Sequence, residues 1–299
     1  MESWRHNPLV FWLLAIPGSL WLLVFFVVPL SVIWVYSFGE KAGIVDIDVT
    51  WTLDNYVRTL EPVYLEIFWK TLWISVLSTL LCLLIAFPVA MGICFSPPAW
   101  KPWLLMAVML PFWINLLIRT YSLIAVFRTR GYLNFTLEWF WDLAFLDRLI
   151  GPYQPLELLY NNGAVVVGLV YIYMPFMVLP IYASLERLDR SLLEASLDLG
   201  ASQWTTFWRV TVPLTMPGIV TGVILVFIPA LGSFITPDLL GGANAVMIGN
   251  VIERQFKAAN DWSFGAALSF LLMYATFAAL ALRALLNRRA ERAAGEARA

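Results

Sequence analysis

Five stretches of this chain carry no charged residue: Leu9 to Phe38, Thr71 to Trp100, Leu158 to Leu185, Val210 to Pro237 and Trp262 to Leu282. Crossing the hydrocarbon core of a bilayer takes about 20 apolar residues, so each is long enough to do so as a helix. A sixth stretch, Pro102 to Phe127, is interrupted only by Arg119 and reads as a spanning helix with one polar defect. In water these runs would leave no room for a polar coat. Of the 299 residues 61% are hydrophobic and 13% charged, whereas soluble domains carry about 25% charge. The expectation is an all-α polytopic membrane protein with six transmembrane helices, over about 9–38, 71–95, 102–127, 164–186, 213–236 and 262–283. Residues 1–286 then form one transmembrane domain and 287–299 a polar tail, alanine-rich and expected to fray. Gly241 to Ile252 is also uncharged but too short to span, and with two glycines at its start it reads as an interfacial or re-entrant piece.

Lysine and arginine bias sets orientation. With a cytoplasmic N-terminus, the inner segments hold ten basic and seven acidic residues, and the longer outer segments eight basic and thirteen acidic. Both termini are therefore expected in the cytoplasm. The first run exceeds a signal-peptide core and has no small-residue cleavage site before Glu40, so it reads as a retained anchor. Gly131 to Leu146, outside, mixes Tyr132, Phe135, Trp139, Phe140 and Phe145 with Glu138 and Asp142, the pattern of a helix lying on the membrane surface. A net charge of −1 gives no basic excess for nucleic acid. The single histidine, His6, lies in the N-terminal stub, and Cys82 and Cys94 fall inside an apolar run, which suits inert packing better than a disulfide or metal pair. The spans offer no histidine and no carboxylate to an intramembrane enzyme, and no repeat or intramembrane acid of the kind ion-driven carriers use.

The polar segment with the most information is the inner loop over 187–212. Glu186 to Leu199 reads as a short amphipathic helix, with Leu185, Leu188, Leu192, Ala195 and Leu199 at three- and four-residue spacing and Glu186 paired with Arg190 one turn on. Glu194 and Asp198 are like charges a turn apart, a small cost that a basic partner would remove. Gly200 supplies the left-handed residue that ends a helix, and Ser202 caps a second one running to Pro213.

Glu194, Ala195, Ser196, then Gly200, then Val210, Thr211, Val212 and Pro213 resemble, at the family's own spacing, the EAA motif of permease subunits in binding-protein-dependent ABC importers. Ser196, Val210 and Val212 are conservative departures. The wider chain is similar to spermidine/putrescine permeases: Leu110 to Asn115, Ile118 to Tyr121, Tyr171 to Pro175, Pro229 to Gly232, Pro237 to Gly242, and Met247 to Asn250 with Gln255 and Phe256. Ser263 stands where that branch often has proline. The resemblance implies the type I importer permease fold and a loop that docks on a cytoplasmic ATPase. It also implies two ATPase copies, a second permease that is a different chain, and an external solute-binding protein. No G-x-x-x-x-G-K-[ST] phosphate loop occurs, so ATP and Mg belong to the partner, and this chain is expected to bind no cofactor or metal and to catalyse nothing itself. The function expected is ATP-driven uptake of a small solute, a polyamine first; a permease for another solute and a gradient-driven carrier are the alternatives.

Pathway candidates are Trp113, Asn115, Tyr121, Tyr171, Asp238 and Glu253. Tyr171 and Trp113 have faces for cation–π contact, though packing accounts equally for them. Asp238 and Glu253 flank the short uncharged segment, where carboxylates attract cations or simply meet solvent. Asn115 and Tyr121 suit interhelical hydrogen bonds as well as a pathway. Arg119 falls near the outer face, where it can snorkel or pair with an acid.

Overall fold

The computed structural model describes residues 8–43, 46–143 and 151–296. In chain order its elements are α1 (Pro8–Leu22), α2 (Val28–Tyr36), β1 (Glu40–Lys41), β2 (Ile47–Asp48), α3 (Asp54–Arg58), α4 (Pro62–Phe95) and α5 (Lys101–Met109). There follow α6 (Leu116–Phe127), α7 (Tyr132–Leu143), α8 (Asn162–Glu186), α9 (Arg190–Asp198) and α10 (Gln203–Thr206). The last three are α11 (Val212–Leu231), α12 (Ile248–Lys257) and α13 (Trp262–Glu296). The chain divides into two compact units, residues 1–65 with 251–299, and 66–250.

Among the described residues four helical stretches are long and apolar enough to cross a bilayer: Phe11–Tyr36, Pro62–Phe95, Asn162–Glu186 and Gln203–Leu231. The third run expected from sequence is not one helix. Lys101–Trp113 and Leu116–Leu143 meet at 94°, because Ile114 and Asn115 are extended (ψ 136° and 139°). Pro111 closes the first piece in a tight 3₁₀ turn, and the Asn115 side chain restarts the second by accepting from the Leu117 N–H at 2.8 Å. Pro102 to Phe127 is thus a bent pair rather than a continuous span. The sixth run is represented by the apolar start of α13, Trp262–Ala278. α13 is helical through Glu296, a run in which Ala, Glu and Arg are strong helix formers. His6, Phe145 and Leu146 lie outside the described residues.

In the first unit, α1 and α2 are joined by a wide π turn, Leu23–Val27, ahead of Pro29, whose ring cannot fit a regular turn. Arg58 lies 4.0 Å over the ring of Phe264 and pairs with Asp261 at 3.0 Å. Asp261 in turn caps α13 through the Phe264 N–H at 3.1 Å. The Trp34 indole N–H donates to the Tyr274 hydroxyl at 2.7 Å.

The second unit is built on α8 against α11. Lipid tails are as apolar as leucine, so helices in a bilayer associate by close packing rather than by burying oil from water. Gly218 provides that closeness: a Cβ there would sit 2.4 Å from the Pro180 carbonyl oxygen and from Ser184 Oγ. At Gly222 it would meet Met177 Sδ at 2.7 Å. The uncharged stretch after α11, read from sequence as interfacial or re-entrant, packs into its unit: Leu240, Ala245, Met247 and Ile248 are buried. It is tied down by three bonds, Ile248 N–H to Thr71 Oγ1 at 2.8 Å, Asn250 Nδ2 to the Phe234 carbonyl at 2.8 Å, and Tyr160 N–H to the Leu240 carbonyl at 2.8 Å. Cys82 and Cys94 are buried free thiols.

Gly218→Val should therefore force α8 and α11 apart, an overpacking cost of at least about 1–3 kcal/mol. Gly92→Ala, with nothing within 4 Å of its added methyl group, should be neutral or mildly stabilising. Unfolding temperatures of the two variants in detergent check the contrast, Gly218→Val falling by several degrees or failing to fold.

Candidate functional site

The loop over 187–212 forms a helix, a reversal and a second helix. Its first helix starts later than the residue spacing predicts. Glu186 is still in α8, and Asp189 caps α9 by accepting the Ser191 N–H at 3.0 Å. The predicted Glu186–Arg190 pair is replaced by two tertiary contacts. Glu186 bonds Lys101 at 2.8 Å, fastening the end of α8 to the start of α5. The Arg190 guanidinium donates to the Cys94 carbonyl at 3.3 Å and lies 5.5 Å from the centre of the Phe95 ring, anchoring α9 to the end of α4.

Gly200 ends α9 with φ +84°, as expected. Around it the Gly200 N–H bonds the Leu197 carbonyl at 2.9 Å and the Ala201 N–H the Ser196 carbonyl at 3.1 Å, the paired bonds of a Schellman stop. Ser202 then accepts the Thr205 N–H at 3.2 Å and caps α10. Pro213 does not end this second helix. A π turn over Phe207–Thr211 carries α10 directly into α11, with Pro213 in the first turn of α11 where its missing N–H costs little. The hydroxyl of Ser196, where the family motif has a small apolar residue, meets the Thr206 hydroxyl at 2.9 Å and closes α9 onto α10. No spacing rule would have shown that contact.

The outward side of this knob carries both its charge and its apolar groups. Glu194, Ala195 and Asp198 are exposed, as are Leu192 and Leu199, the latter at 89%. Two leucines of the amphipathic stripe therefore face outward beside these carboxylates, an uncovered surface of mixed character.

The pathway candidates are carried on several different elements among the described residues. Trp113 is 75% exposed and Tyr121 is also exposed. Asn115 is exposed and caps α6 through its Oδ1. Tyr171 is exposed, while Tyr173 donates to the Pro229 carbonyl at 3.2 Å. Asp238 is exposed, the second residue of the π turn Pro237–Gly241, whose Pro237, Leu240 and Gly241 are buried. Glu253 pairs with Lys257 at 3.0 Å. Arg119 does not snorkel: it is 7% exposed, with Nε and Nη1 lacking a hydrogen-bond partner.

This architecture recurs in solved structures. A chain of a bacterial ABC transporter involved in the import of the acidic polysaccharide alginate superposes with TM-score 0.72, covering 96% of this chain and 98% of that one at 17% identity. The same transporter in complex with an alginate pentasaccharide-bound periplasmic protein gives 0.70, covering 97% and 98% at 16% identity. The fold is thus that of an ABC transporter's membrane subunit. In sequence, the family model of binding-protein-dependent transport system inner membrane components matches residues 7–292. The chain belongs to that family and is a multi-pass inner-membrane protein. Among curated relatives, the spermidine/putrescine transport system permease protein PotB of Escherichia coli (strain K12) is 44% identical over 84% of this chain and 88% of its own. PotB of Haemophilus influenzae is 39% identical over 91% and 93%. The inner membrane ABC transporter permease protein YdcU of Escherichia coli (strain K12) is 32% identical over 89% and 86%.

The geometry of Gly200 makes a local prediction. Its Cβ direction is open, so Gly200→Val meets no clash and costs only the left-handed backbone, about 1–2 kcal/mol. Hydrogen exchange of the amides around residues 195–206 should quicken by about tenfold, while the unfolding temperature of the whole chain barely moves.

Proposed function

We propose that this chain is the permease subunit of an ATP-driven importer for a polyamine, spermidine or putrescine, delivered by an external binding protein. The observation that carries the reading is the 44% identity to PotB over 84% of the chain, together with an EAA-like segment folded as a capped helix, a Gly200 reversal and a second helix. Permease, ATPase and binding protein divide the work. Two copies of a cytoplasmic ATPase hold ATP and Mg; this chain binds neither and forms half the pathway beside a second permease. In the bilayer the bent pair supplies the third crossing and the start of α13 the sixth, with both termini cytoplasmic.

The exposed face of α9 is the docking surface. Glu194 and Asp198 offer paired carboxylates to a basic cleft, and Leu192 and Leu199 fill its apolar floor. ATP binding closes the two ATPases on each other. Gly200 and the Ser196–Thr206 contact make the knob a compact body, so its displacement is passed through the π turn into α11 rather than absorbed by a linker. The pathway then opens outward to receive solute, and hydrolysis returns it. Trp113, Tyr121, Tyr171, Asp238 and Glu253 are the side chains to scan along that path, cations being held by aromatic faces and carboxylates.

The test is uptake of radiolabelled spermidine and putrescine in cells lacking their own polyamine importers and expressing this chain with its ATPase, second permease and binding protein. Uptake should require ATP hydrolysis and survive collapse of the proton gradient when ATP is maintained. Glu194→Lys and Gly200→Val should leave membrane insertion intact, abolish uptake and lose the co-purifying ATPase. Wild-type uptake by both variants would remove the coupling role. No polyamine uptake by an intact, ATP-hydrolysing complex would leave an importer of another solute.

A further inference from the structure

A polar cavity of about 630 Å³, distinct from the coupling loop, is lined by Arg128, Arg130, Glu157, Tyr160 and Asn244. Its walls are held in place from behind. Asn134, 3% exposed, donates from Nδ2 to the Leu156 carbonyl at 3.0 Å and to the Arg128 carbonyl at 3.3 Å. Its Oδ1 accepts from the Tyr153 hydroxyl at 2.7 Å and the Leu156 N–H at 2.9 Å. One buried amide thus fixes the 128–130 and 156–157 walls together. Tyr160 sits at φ +59°, a conformation a non-glycine residue keeps only where its surroundings impose it. Here the imposition is its N–H bond to the Leu240 carbonyl at 2.8 Å and its ring against Gly242, itself at φ +55°. The Lys70 ammonium donates to the Asn244 carbonyl and pins the last wall.

Charge and depth point to the occupant. Among the described lining residues Arg128 and Arg130 bring two positive groups against the carboxylate of Glu157, with Lys70 held at the Asn244 carbonyl, and neither guanidinium is in an ion pair. The complement is an anion, and the guanidinium fork suits phosphate. All the walls lie at one boundary of the apolar runs. Arg128 follows the last residue of α6, Glu157 and Tyr160 precede α8, and Lys70 precedes the uncharged stretch that opens at Thr71. Directly after them α7 exposes Tyr132, Phe135, Trp139 and Phe140, the aromatic dress of a helix at the headgroup level. At that depth the abundant anion is a lipid phosphate. We propose that this cavity binds the headgroup of an anionic phospholipid, its phosphate between Arg128 and Arg130 and its acyl chains over the aromatic side of α7.

The proposal is independent of which solute is carried. It is tested by native mass spectrometry of the chain, with the subunits that co-purify, from detergent micelles holding equal phosphatidylglycerol and phosphatidylcholine. Phosphatidylglycerol should be retained in preference. The double variant Arg128→Gln, Arg130→Gln should lower its retention by at least about tenfold, and Glu157→Gln, which removes the one repelling charge, should raise it. Millimolar inorganic phosphate should leave the lipid in place; displacement by it would assign the site to free phosphate. Unchanged retention in a double variant of wild-type unfolding temperature would overturn the proposal, as would loss of binding-protein association with lipid retention intact. Should the double variant fail to fold, the Glu157→Gln arm decides alone, absence of any rise overturning it.

Discussion

The contact between α8 and α11 is the constraint on which the second unit depends. In a bilayer there is no water to squeeze out from between two apolar helices, so they hold each other only where their backbones come close enough for dense dispersion contact. Gly218 and Gly222 create that approach on α11, opposite the Pro180 carbonyl and Met177 on α8. Gly168, farther along α8, does the same toward Thr236 and Leu240, where a Cβ would fall 2.4 Å from the Leu240 methyl. Side chains at these three points would separate α8 from α11 and from the inward-folded segment together. The small residues here are the means of adhesion, and Ala86 and Ala90 on α4 extend the same logic to another buried face.

Local rules made much of this legible from the residues alone. The class followed from run length and charge, because a bilayer imposes both. Gly200 and Ser202 were readable because a left-handed stop and a helix cap are decided by one residue's own chemistry. What depended on distant partners was not. Glu186 chose Lys101 over its neighbour Arg190, and Ser196 found Thr206, through a fold that no pairwise spacing encodes. The break at Ile114 and Asn115 left a signal, a proline followed by a capping asparagine, but hydropathy runs straight through it. The polar look of the C-terminal tail concealed a strongly helix-forming composition.

Arg119 shows the other limit of reading by depth. Its position predicted a side chain near the outer face that snorkels or pairs with an acid, yet α6 starts afresh at Asn115, so the arginine falls one turn into a new helix rather than far along an old one. That places its guanidinium within the packed unit, with two nitrogens unsatisfied. A buried cation is retained at a cost of several kcal/mol unless something opposes it. The bend at 94° is therefore what turns an unremarkable interfacial arginine into a buried one.

The same α8 and α11 pair also explains how two ends of the second unit become mechanically related. At one end, α11 grows without interruption out of the π turn and α10, and α10 is bolted to α9 by Ser196 and Thr206. At the other end, α8 begins beside Tyr160, whose N–H holds Leu240, and Leu240 packs into the window at Gly168. A close-packed interior transmits displacement because it has little free volume in which to absorb it. A shift of the proposed coupling knob would therefore travel along α11, through the glycine windows into α8, and out to the segment carrying Asp238. Flexible linkage would lose that shift at the first joint, and here the joints are Gly200, already fixed by two backbone bonds, and a π turn that keeps the helix unbroken.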